Sequence, residues 1–336
     1  MQFPTFHSIG LAASIPVPDA TASLSVAPID IPFAGRQVPL QVRVTFPATN
    51  TTAGKLPVVI FSHGGGPASY VGSLHGYAPV REFWASHGFV VIQPTHLESK
   101  TLGLDVNPDN VKQLYLDARA ADISAIIDEL LRQDNALEQE IPMLRGRLDT
   151  TKIALAGHSF GGFTTSTILG AVNHDSESQT THLLDQRVKA GVIFAGTGDN
   201  QLSDQGRTIM PFYNIDFANM RTPALVVYGD QDVQPFLTTR GADWHADPYT
   251  LAPGPKTLLT LKGAKHGLGG IAGWDLAAAD DDDNERLYTV LKVSWAYLWS
   301  ALYGEDTGAD AEGGKWAEVA KAMKGLERIG EVESKE

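Results

Sequence analysis

Apolar residues along this chain recur with two periods. Short runs rich in β-branched residues alternate with longer segments whose apolar positions fall every three to four residues. That alternation predicts an α/β fold, a mostly parallel central sheet with helices on both faces. Two half-polar strands come first, near 24–31 and 38–46, and read as an antiparallel hairpin at the sheet edge. Strands at 56–62 and 88–93 follow, the second closed by Pro94. Those at 152–156, 188–195, 224–228 and 257–261 are nearly all apolar, as strands covered on both faces must be. Helical spacing runs through 111–132 (Leu114, Ala118, Ile123, Ile126, Leu130) and through 285–303 (Val290, Leu291, Trp295, Leu298, Leu302).

Two stretches break the rhythm. Residues 96–110 and 199–220 are polar, rich in Gly, Pro and Asn, and too long for turns. Lying after strands, they are expected to shape a substrate pocket. The tail opens with an acidic linker and closes with a helical pattern that places Trp316, Val319, Ala320, Met323, Leu326 and Ile329 on one face. The chain thus divides into an N-terminal extension (1–23), one α/β domain (24–303), and a linker with an amphipathic helix (304–336). Docking on the domain is the simpler reading of that helix; docking on a second copy, giving a homodimer, is the alternative.

Composition narrows the chemistry. At 336 residues and 43% hydrophobic, the chain has ample material for one large core. No 20-residue apolar run offers a membrane span. The start, Met1-Gln2-Phe3-Pro4-Thr5-Phe6-His7, lacks the basic and apolar stretches of a secretory signal, so the expectation is a cytoplasmic protein unless a signal has been removed. A formal charge of −13 argues against nucleic acid and anionic membrane surfaces as partners. The absence of cysteine excludes disulfides, thiolate metal sites and a cysteine nucleophile. One sequon, Asn50-Thr51-Thr52, is close to chance.

The strongest chemical signal is Ile153-Ala154-Leu155-Ala156-Gly157-His158-Ser159-Phe160-Gly161-Gly162. An apolar strand runs into G-x-S-x-G and then into a small-residue helix start. A serine hydroxyl becomes a useful nucleophile when it projects from such a sharp strand-to-helix turn toward a base. Upstream, Val58-Val59-Ile60-Phe61-Ser62-His63-Gly64-Gly65-Gly66 stands where a loop after the third strand can aim backbone N–H groups at an oxyanion. Gly65 and Phe160 are the expected donors, with Gly64 the nearest competitor and a substrate-contacting position. His63 is expected to brace the loop.

The order Ser…Asp…His places the acid after 224–228, where Asp232 is favoured over Asp230, and Asp199 stands third. The base is His266, in a glycine-flanked loop after the last apolar strand. His245 has no strand before it and receives no role. His96 reaches the same rim, as a pocket-lining residue or, preferably, as a structural hydrogen-bonding one. Asp280-Asp281-Asp282-Asp283 lacks the glycine punctuation of a calcium loop and reads as a helix N-terminal run, so neither a metal nor a cofactor is expected.

The segments Phe61-Ser62-His63-Gly64, Gly157–Gly162 and the helix with Arg119…Asp122-Ile123…Leu130 resemble the dienelactone-hydrolase-like branch of the α/β hydrolases, which includes platelet-activating-factor acetylhydrolases and chlorophyllases. The resemblance spans about 24–303. It implies an α/β-hydrolase fold, a Ser159–Asp232–His266 triad and backbone donors at Gly65 and Phe160. It departs at the acid: the strand ending Val192-Ile193-Phe194-Ala195-Gly196 carries no carboxylate where acetylhydrolases place theirs, which counts against a phospholipid-type substrate. The expected activity is hydrolysis of a small-molecule carboxylic ester through an acyl-enzyme. The alternatives are an acyltransferase, lactonase or amidase with the same triad, or a non-catalytic small-molecule-binding protein.

Overall fold

The computed structural model of the chain describes residues 9–48, 54–65, 71–107, 109–174, 179–273, 281–308 and 310–336. Met1 to His7, the sequon, Gly66 and Asp280 lie outside them. In chain order the elements are β1 (Ser23–Ile31), β2 (Leu40–Pro47), β3 (Leu56–Ser62), α1 (Ala78–Ser86), β4 (Val90–Pro94), α2 (Ala118–Leu130), α3 (Ala136–Glu140), β5 (Leu148–His158), α4 (Phe160–Ile168), β6 (Val172–His174), β7 (Thr180–His182), β8 (Val188–Phe194), α5 (Asp204–Ile209), β9 (Ile215–Asp216), β10 (Ala224–Gly229), α6 (Asp247–Thr250), β11 (Lys256–Leu261), α7 (Asn284–Tyr303), α8 (Gly314–Met323) and β12 (Gly330–Lys335).

Nine strands form one sheet in the order β1-β2-β4-β3-β5-β8-β10-β11-β12. The six central strands from β4 to β11 run parallel, while β1, β2 and β12 pair antiparallel at the two edges. Successive residues of a strand point to opposite faces. Val58 and Ile60 of β3 therefore join α2 and α4 in one apolar layer, while Val59 and Phe61 join α1 and α7 in the other. All of β3 is buried, which explains its unbroken apolar run. Among the described residues no helix is long and apolar enough to cross a membrane.

The structure differs from the sequence reading in three places. The helix expected from 111 opens as a π-helical turn, Gln113–Asp117, before α2. A small sheet, β7-β6-β9, brings β6 and β7 together with β9 of the 199–220 segment. The tail helix stops at Met323, and the chain returns as β12 alongside β11. Trp316, Val319, Ala320 and Met323 are buried with α7 in the second apolar layer, so the face considered for a homodimer is covered within the chain itself.

Candidate active site

β5 ends at His158, α4 begins at Phe160, and Ser159 alone makes the turn between them at φ 56°, ψ −119°. A non-glycine residue held at positive φ is strained and persists only where its surroundings fix it. The turn is tight because neighbouring backbones close on it. A Cβ at Gly157 would lie 2.1 Å from the Gly161 carbonyl oxygen, and one at Gly161 would lie 2.0 Å from that of Ser62. Both glycines of the motif are therefore steric necessities. Among the described residues the non-glycine positions with positive φ are Tyr77, Ser159, Ala195 and Leu268.

Around Ser159 stand the groups that sequence reasoning proposed, with corrections. Phe160 is the first helical residue, so its N–H has no intrahelical acceptor. The Gly64 N–H donates to the Tyr77 hydroxyl at 3.0 Å, whereas Gly65 lies on the cavity wall beside Ser159 and Phe160. Gly64 is thus occupied and does not line the cavity. Nor does His96, which corrects its substrate-contacting assignment: its side chain is fully buried, with Nε2 3.0 Å from Ser62 Oγ and Nδ1 2.9 Å from Asp122 Oδ2. His63 braces the loop as expected, its Nδ1 2.8 Å from the Gly64 oxygen while Nε2 accepts the His96 N–H at 3.0 Å.

Of the three candidate acids, Asp232 is the one that meets His266, with Oδ2 2.8 Å from Nδ1. Asp230 accepts the Gly263 N–H at 2.7 Å, tying the ends of β10 and β11 together, and Asp199 accepts from Gln201. Burial alone would raise the Asp232 pKa, but His266 and His245 outweigh it and hold the carboxyl well below the usual carboxylate range.

His245 is the residue that sequence reasoning missed. It lies in a short 3₁₀ turn, Ala242–Ala246, with Nδ1 2.6 Å from the Gly196 oxygen and Nε2 3.2 Å from Asp232 Oδ2. No periodicity or motif marks it; only the fold brings it to the acid. Ligating atoms of Asp232, His245 and His266 lie within 4.8 Å of one another, the one grouping among the described residues with metal-binding potential. The acidic run is otherwise engaged. Asp281 accepts the N–H groups of Lys265 and Gly269 and pairs with Arg286, while Asp283 caps α7.

Beneath the 63–65 loop lies a polar cluster. Arg119, fully buried, donates to Glu98 at 2.8 Å, to Ser62 Oγ at 3.1 Å and to the His63 oxygen at 3.0 Å. Arg36 holds Asp122 at 2.8 Å from the other side. Burial, reinforced by Arg119, pushes the pKa values of His63 and His96 well below that of a free imidazole.

Ser159, Asp232 and His266 share a cavity of about 830 Å³. Its remaining wall is mostly apolar. Val106 comes from the 96–110 stretch and Ile209 and Met210 from the 199–220 stretch. Tyr115 of the π turn and Val233, Phe236 and Leu237 after β10 were not anticipated.

A chlorophyllase family model matches residues 20–182. A cutinase of Thermobifida cellulosilytica is 26% identical over 227 residues, 66% of this chain and 64% of that protein. A cutinase of Thermobifida fusca shows the same identity over 52% of its length. A platelet-activating factor acetylhydrolase of Cavia porcellus is 27% identical over 163 residues, 40% of this chain and 36% of that protein. The chain thus spans less than two thirds of the length of these curated relatives. Sheet order and the strand–serine–helix turn give the chain an α/β-hydrolase fold, the fold of the family and relatives it resembles.

Proposed function

We propose that the protein hydrolyses uncharged carboxylic esters with an apolar acyl or alcohol group, through an acyl-enzyme on Ser159. The observation that carries this reading is the strained Ser159 turn opening into the same apolar cavity as the His266–Asp232 pair. In this mechanism His266 takes the Ser159 proton as the hydroxyl attacks the ester carbonyl, then returns it to the leaving alcohol. Asp232, held ionised, fixes the His266 tautomer and stabilises the imidazolium that forms. The N–H groups of Gly65 and Phe160 receive the oxyanion. Water then enters, loses a proton to His266 and attacks the acyl carbonyl, and His266 returns that proton to Ser159 Oγ as the acid leaves. Lys265 is the one Lys or Arg side chain on the described cavity wall, which favours a neutral substrate over an anionic one. The relatives named cutinase and platelet-activating factor acetylhydrolase support ester cleavage as the reaction class.

The test is covalent labelling with a fluorophosphonate, compared with Ser159→Ala, followed by turnover of a nitrophenyl ester series. Labelling and turnover should both vanish in the variant. A wild type that is neither labelled nor active, or a variant labelled equally, would sink the assignment.

A further inference from the structure

The Gly64 N–H, the Tyr77 hydroxyl, the His158 ring and the His266 backbone form one continuous line of contacts. Gly64 N lies 3.0 Å from Tyr77 Oη, Tyr77 Oη lies 2.9 Å from His158 Nδ1, and His158 Nε2 lies 2.8 Å from the His266 carbonyl oxygen. The chemistry of the atoms fixes the direction of each bond. A carbonyl oxygen only accepts, so the His158 proton is on Nε2 and Nδ1 is left as an acceptor. Tyr77 therefore donates its O–H to Nδ1, and its oxygen accepts the Gly64 N–H. Burial, with the nearby His266 adding to it, lowers the His158 pKa to about 3, so the ring stays neutral and Nδ1 stays an acceptor at working pH.

Resting on the ester-hydrolase reading, we infer that Tyr77 is a positioning residue that, through His158, locks the oxyanion loop to the loop carrying the catalytic base. The bond from Gly64 turns the adjoining peptide so that the next N–H, that of Gly65, is presented to the cavity. The bond through His158 holds the backbone of the base from behind. One hydroxyl thus fixes the spacing between the place where negative charge develops and the place where the proton goes.

Two further observations support a role beyond packing. Tyr77 adopts φ 60°, ψ 28°, a left-handed conformation that is an outlier for a bulky aromatic residue. Its N–H is anchored to the Ala272 oxygen at 3.0 Å, so the strain is paid where the hydroxyl must be aimed. A Cβ at Gly64 would also lie 2.8 Å from the Tyr77 oxygen, so glycine at 64 is what admits the contact.

The experiment compares Tyr77→Phe with wild type on a short-chain nitrophenyl ester, alongside binding of an arylboronic acid that mimics the tetrahedral intermediate. The ring remains and only the hydroxyl goes. The expected result is a fall in kcat on the order of 10- to 100-fold, below the 10²–10³ typical of removing an oxyanion donor outright. KM should stay within about twofold and boronate affinity should fall in step with kcat, because the lost interaction serves the transition state. A kcat within about twofold of wild type, or a loss carried by KM with boronate binding unchanged, overturns the inference while leaving the hydrolase reading intact. A wild type without turnover overturns both. Should Tyr77→Phe not fold, the same measurements on His158→Asn decide, with the same split between kcat and KM expected.

Discussion

Behind Ser159 the chain buries Arg119, Glu98, Asp122, His63 and His96 in mutual hydrogen bonds; across the cavity mouth it leaves Val106, Ile209, Val233 and Phe236 facing solvent. Arg119 is 0% exposed with bonds to a carboxylate, a hydroxyl and a carbonyl, whereas Val233 is 58% exposed. The first region consists of polar groups that cannot be moved without orphaning a partner in a low-dielectric interior. The second consists of apolar side chains that lose little on rearranging. The difference matches the demands of the proposed catalysis. Oxyanion donors must be held to within a fraction of an ångström, while a pocket that recognises apolar substrate needs only shape and the exclusion of water. Changes behind Ser159 should therefore cost stability, and changes at the mouth should alter substrate preference.

The largest effect is expected at Arg119. Arg119→Met keeps much of the stem but leaves the buried Glu98 carboxyl and the His63 carbonyl without their donor. Among the described residues Glu98 Oε2 has no hydrogen-bond partner even with Arg119 present, so little there remains to hold the group. Breaking a buried pair in this way costs about 3–5 kcal/mol. Urea unfolding of the two proteins measures it. A loss below about 1 kcal/mol would mean that the polar cluster is not what fixes the loop.

The next effect is a dependence on pH. Burial holds His63, His96 and His158 neutral, with His158 lowered to about 3. An unfolded histidine titrates near 6.5. Below that pH the unfolded chain binds protons that the folded chain refuses, so stability falls as pH falls, by about 1.4 kcal/mol per pH unit for each such group. For His158 the window runs from about 6.5 down to about 3. Asp122, raised to about 6 by burial against the pull of Arg36, works in the opposite sense as pH drops below 6 and offsets part of the slope. Comparison with His158→Asn isolates one proton: unfolding free energies from pH 7 to 4.5 should fall less steeply in the variant by that amount. Parallel slopes would show that His158 is not buried neutral.

Much of the rigid region was legible in the sequence, because its key parts are local. Ser159 and Phe160 belong to one strand–turn–helix, and Gly65 and His63 follow one apolar strand. Asp232 and His266 come after β10 and β11 in the order the chemistry uses. The parts that were not legible depend on contacts between distant segments. His245 reaches Asp232 from a 3₁₀ turn, Tyr77 reaches His158 across 81 positions, and neither has a pattern of its own. His96 stood after the right strand but points into the buried network, because Asp122 and Ser62 capture its ring. β12 escaped notice because Gly-Glu-Val-Glu-Ser-Lys is nearly all polar, as suits an edge strand that contributes backbone bonds and little core.

The smallest effect on stability, and the sharpest test of the comparison, lies at Phe236. It is 46% exposed and lines the cavity, so its ring contributes more to the wall than to the core. Phe236→Ala should change unfolding free energy by no more than about 0.5 kcal/mol, the range of an ordinary surface substitution. For a long-chain ester, losing roughly half of an aromatic burial removes about 1 kcal/mol of binding, which corresponds to about a fivefold rise in KM. An acetyl ester, too short to reach the mouth, should keep its KM, and kcat should hold for both because the catalytic groups are fixed elsewhere. Measuring KM and kcat across an acyl series with both proteins reads this directly. A uniform loss in kcat, or a fall in stability comparable with that of Arg119→Met, would show that the mouth and the catalytic side are mechanically one.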